Sequence, residues 1–133
     1  LDTLPASLDS SLWKGGALQL AAFDTAHKLA HFSGAPLQAR VATAEIQPVQ
    51  GGRAYVDKGI PMIDASAATL NVGTRERYAD SVAYGDESAM TVHGTCGVNR
   101  SGRSITGRVT IPAGELWTHA SGLILDVTPA GSI

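Results

Sequence analysis

The chain has 133 residues, enough for one domain to bury its own core without metals or disulfide staples. Hydrophobic residues at 44% and charged residues at 17% exclude a disordered chain, and a net charge of -2 with a pI of about 6.0 excludes a globally basic nucleic-acid binder. No apolar run approaches the roughly 18 residues that span a bilayer, so membrane insertion is not expected. The single Cys96 allows no intrachain disulfide.

In chain order, residues 1–13 read as an irregular lead-in with one turn of helix, ended by Gly15-Gly16. The start at Leu1, with no signal-peptide pattern behind it, is read as a fragment of a longer polypeptide. Residues 17–23 read as a strand with Leu18, Leu20 and Ala22 on one face. Asp24-Thr25 reads as a turn and residues 28–32 as the returning strand, closed by Ser33-Gly34. A helix over residues 17–32 is the rival, since Ala and Leu favour helix, but it would set Asp24 and Lys28 in an apolar face. Residues 37–49 read as a third strand interrupted at Pro48. Gln50-Gly51-Gly52 is a flexible turn and the expected boundary: 1–49 as lead-in and strands ending a preceding domain, 53–133 as the next domain.

From Arg53 onward the period of two is clearer. Val56, Ile60 and Met62 share a parity, against Arg53, Tyr55 and Asp57. Ala68, Leu70 and Val72 alternate with Thr69, Asn71 and Gly73. Val82 pairs in parity with Tyr84, and Met90 with Val92. Ile105, Val109 and Ile111 alternate with Ser104, Thr106, Arg108 and Thr110, and Leu123, Leu125 and Val127 with Asp126 and Thr128. Such spacing gives about six short strands over residues 53–129, each with one face in a core and one in water. The expected fold is all-β: an antiparallel β-sandwich, jelly-roll or immunoglobulin-like, preceded by a β-hairpin segment.

Spacing argues against each catalytic arrangement. His27 and His31 lie four apart, but Lys28 stands where the zinc-protease helix needs Glu, and on a strand the two would be roughly 13 Å apart. No G-x-S-x-G elbow occurs. Cys96 in His93-Gly94-Thr95-Cys96-Gly97 reads as a small buried residue near a glycine-flanked turn rather than a nucleophile. Asp86 and Glu87 are adjacent and would point to opposite faces of a strand, not across a cleft. No metal, cofactor or catalytic residue is expected.

Two features suit contacts. Arg100, Arg103 and Arg108, with Arg75 and Arg77, form a candidate basic patch for a phosphate, an acidic glycan or an acidic protein neighbour. The bland reading is solvated edges, where charge blocks aggregation. Trp117 and His119 share a parity after the turn Pro112-Ala113-Gly114 and suit a subunit or glycan contact, whereas the bland reading makes Trp117 a core plug.

The segments Ser7-Leu8-Asp9, Trp13-x-Gly15-Gly16-Ala17-Leu18, Ala22-Phe23-Asp24, His27-Lys28-Leu29 and Phe32-Ser33-Gly34 resemble parts of phage and prophage structural proteins. These are the large neck or tail-hub proteins of the packaged-DNA stabilisation type, in which a β-propeller-like body ends in a β-sandwich. Gly107-Arg108-Val109-Thr110-Ile111-Pro112-Ala113-Gly114 and Trp117-Thr118-His119-Ala120-x-Gly122 are similar to the closing strands of such sandwiches. The resemblance implies a virion protein made in the bacterial cytoplasm, a homo-oligomer, and other virion proteins as partners. It supplies no catalytic residue. The expected function is non-enzymatic assembly in a neck, tail or fibre, with a carbohydrate-binding module for host-surface glycans as the alternative; nucleic acid is not expected as a direct ligand.

Overall fold

The computed structural model describes residues 21–31 and 35–131, in two compact units, Leu1–Gly34 and Ala35–Ile133. In the first unit β1 (Ala21–Phe23) pairs antiparallel with β2 (Leu29–His31), placing Phe23 opposite Leu29. Asp24 makes the turn. Its Oδ1 accepts from the backbone N–H groups of Ala26 and Lys28, each at 2.8 Å, so one side chain replaces two backbone acceptors. His27, at φ 59°, takes the left-handed position that closes the bend. The hairpin, not the helix, is what the described residues adopt. The expected lead-in, Leu18, Leu20 and Phe32-Ser33-Gly34 lie outside them.

The second unit holds β3 (Ala39–Ala42), β4 (Ala54–Ile63), β5 (Thr69–Arg75), β6 (Ala83–Tyr84), β7 (Ser88–Ala89), β8 (Cys96–Gly102), β9 (Ser104–Ile111) and β10 (Ala120–Pro129). They form a three-stranded sheet, β10-β4-β8, and a five-stranded one, β3-β9-β5-β6 with β7 also on β5, every pairing antiparallel. No helix occurs among the described residues, and the all-β sandwich class read from the sequence is the class the chain adopts. Ala54, Val56 and Cys96 from one sheet and Leu70, Val72, Ile105 and Val109 from the other share one core, backed by Leu123, Leu125 and Val127. The Gly51-Gly52 turn lies inside this unit: β3 and Ile46, before it, pair with β9, after it.

Alternation carries β5 and β10 as read, but β4 departs from it. Asp57 and Lys58 both face solvent, because the ladder slips by one residue against β10 and against β8 at this point. Such a bulge reverses the parity of everything that follows. Gly59 and Pro61 therefore turn inward, and Ile60 and Met62, expected beside Val56, turn outward at 37% and 45% exposure. Pro61 cannot donate to a ladder, yet it sits in the middle strand of its sheet. The conflict is local only: β8 pairs with β4 no further than Gly59, so Pro61 has a neighbour on the β10 side alone. Val92 is likewise not with Met90 in the core. It is 97% exposed in the turn where Thr91 N–H donates to Thr95 O and Gly94 N–H to Thr91 O.

Arg103 alone separates β8 from β9, and the two strands belong to different sheets. The chain thus turns from one layer into the other at a single residue. Gly102 permits it: a Cβ there would stand 2.7 Å from Thr74 Cβ.

Candidate functional site

Four of the five arginine side chains are engaged within the fold. Arg75, at the end of β5, makes two 2.5 Å contacts to the Glu45 carboxylate through Nε and Nη2, donates to Tyr78 O at 2.7 Å, and lies over the Tyr78 ring. Only 12% of its side chain is exposed. Its hydrogen bonds hold the Glu45 carboxyl below the usual range. Arg100 donates to Ala83 O at 2.9 Å, and Arg108 lies 3.8 Å over the Tyr84 ring. Arg77 is 81% exposed and paired with Asp80. Arg103 is half-buried, with its backbone N–H on Arg75 O. The fold brings Arg75, Arg100 and Arg103 to one end of the sandwich, interleaved with Glu45 and the Arg53–Glu76 pair at 2.9 Å. Arg108 lies along β9, opposite Asn71.

Trp117 and His119 sit at the opposite end, in the 112–119 connection between β9 and β10. The chain bends at Thr118 rather than running extended, so their alternation does not define a shared face. Trp117 is half-buried and His119 exposed. The bend is held by Asp64, just past β4, which accepts from the N–H and hydroxyl of Thr118 and from the N–H of His119. Its carboxyl lies well below the usual range, first because of the Thr118 hydroxyl and then the two backbone N–H groups. Glu115 reciprocates from the 112–119 connection: its Oε1 accepts from Ser66 N–H at 2.7 Å, Ser66 Oγ at 2.5 Å and Ala67 N–H at 3.2 Å, and its carboxyl is lowered too. Two of the connections that carry the chain between sheets, residues 64–68 and 112–119, are thus tied by one carboxylate from each.

Cys96 opens β8 with no exposed surface, and burial pushes its thiol up, against a smaller lowering from the Leu70 backbone. A buried, protonated thiol is a poor nucleophile. His93 is exposed in the preceding turn. Asp86 and Glu87 are both exposed, and Glu87 accepts from Thr69 Oγ1 at 3.3 Å. His27 lies in the hairpin turn and His31 opposite Ala21.

The outer face of the five-stranded sheet carries a groove of about 350 Å³ lined by Gln38, Ser66, Ala67, Ala68, Thr69, Glu87, Ala89, Met90, Thr110 and Pro112. Thr69 and Thr110 are cross-strand partners at its floor. Thr110 Oγ1 is buried and has no hydrogen-bond partner among the described residues. None of these residues reads from the sequence as a groove contact: Glu87 is weighed there only with Asp86 as a carboxylate pair, and Pro112 as part of a turn. The lining residues come from four separate segments, and their only local signal is the polar parity of Thr69 and Thr110. No family model, curated protein or solved structure matches the chain.

Proposed function

We propose that this chain is a non-enzymatic assembly module of a phage or phage-like particle, joining copies of itself or other virion proteins. The supporting observation is β10. Among the described residues this ten-residue strand forms an outer edge of its sheet, and it carries no Lys, no Arg, and no Pro before its last residue. Its one charge, Asp126, is matched by Lys58 at 3.4 Å. An open edge without such guards is a template for another strand. Beside it Ile60, Met62 and Ile124 leave an apolar strip on the outer face, with Ile124, 51% exposed, directly opposite Ile60. The particle assignment rests on the resemblance of the quoted segments to neck and tail-hub proteins.

Light scattering of the purified chain, with mass spectrometry of purified particles, tests this reading. The expected results are a species larger than a monomer, several copies per particle, and reversion of Ile124→Lys to a monomer with its melting transition intact. A parent protein found only as a free monomer and absent from particles would overturn the proposal. One observation favours a second reading, recognition of a host-surface glycan: the groove on the other sheet, which is separate from the β10 edge.

A further inference from the structure

We propose that the groove over Thr69 and Thr110 is a subsite for one neutral pyranose ring of a saccharide. The inference rests on the glycan reading and gives it a place and a ligand class. A volume of about 350 Å³ is at the small end of ligand pockets, which run from roughly 300 to 1,000 Å³. Among the described residues no Lys, Arg or His lines it, so none of them would neutralise a phosphate, sulfate or acidic sugar.

The polar groups suit a ligand rich in hydroxyls. The Glu87 carboxylate forms no ion pair with the described residues and accepts only from Thr69, leaving capacity for ligand O–H donors. Gln38 adds an amide that donates and accepts. Thr110 is 5% exposed, and a buried hydroxyl without a partner is uncommon in a folded protein. A staggered rotation about χ1 would move the hydroxyl to another of the three positions on Cβ and carry the methyl round with it. Met90, Pro112 and Ala89 give the apolar wall against which the C–H face of a sugar ring packs.

The test is a two-dimensional amide NMR titration of the full chain. The probes are glucose, galactose, mannose and N-acetylglucosamine, with glucuronate and N-acetylneuraminate as acidic controls. At least one neutral sugar is expected to give saturable shifts at Thr69, Ala89, Met90 and Thr110. Glu87→Ala, with an otherwise unchanged spectrum, should weaken that binding about tenfold, the loss typical of a hydrogen bond to a charged group. Thr110→Val should weaken it as well. Unchanged affinity in Glu87→Ala, or equal binding of the acidic sugars, overturns the proposal. Sugar shifts confined to Trp117 and His119 would remove the groove and keep the glycan reading. Silence of all six sugars, together with no binding to host surface polysaccharide, would remove both.

Discussion

Two leucines and two glycines set the spacing of the sheets. Leu70 reaches from the larger sheet over Gly59, and a Cβ there would stand 2.3 Å from Leu70 Cδ2. Leu123 reaches the other way over Gly107, where a Cβ would stand 2.1 Å from Leu123 Cδ2. Gly59→Ala and Gly107→Ala should each cost roughly 1–3 kcal/mol by overpacking. Part of the Gly107→Ala loss should return when Leu123→Ala is added, since residues in contact do not act additively. Gly102→Ala should cost more than either. Its obstacle is Thr74 Cβ, bonded directly to the backbone, whereas a leucine methyl can swing aside. Urea-unfolding midpoints decide the order, and a Gly102→Ala midpoint at or above the other two contradicts it. A sequence shows each glycine but not the leucine facing it.

At the scale of elements, regular strands were legible and irregular ones were not. β5, and β10 from Gly122 onward, keep one parity, and their inner residues are those the alternation picks out. β4 changes parity at Asp57-Lys58 because of its partners' register, which no local pattern records. The connections were illegible for a related reason. Asp64 and Ser66 look like ordinary turn residues, and their partners Thr118 and Glu115 lie about fifty positions away. The carboxyl groups of Asp64, Glu115 and Glu45 all lie below their ordinary values of 3.8, 4.5 and 4.5. Their stabilisation is thus complete above those values and is lost as pH falls through the lower folded-state values. Melting temperature should be nearly flat from neutral pH down to about 5 and fall below about 4. The Asp64→Asn, Glu115→Gln double variant should melt lower at neutral pH and fall less on acidification, Glu45 supplying the remainder. A double variant with the original acid slope would show that the tied connections do not carry the effect.

For the whole molecule, composition and alternation were enough for the all-β class, while strand order was not readable. Order depends on which edges meet, and β3 reaches β9 across more than sixty residues. The groove follows from that order: its lining meets only because β3, β5, β7 and β9 share one sheet. The undefended β10 edge was partly readable, as a strand with few charges, but its place at the rim was not. The Arg103 corner bears on how the molecule opens. β8 and β9 are one stretch of chain serving both layers, and the same core side chains back each of them. Neither sheet can peel away without dragging a strand from the other, so the sandwich should behave as one cooperative unit. Slowly exchanging amides of β4 and β9 should therefore converge on a single opening free energy as denaturant is raised, and two separate isotherms would mean that the layers open independently.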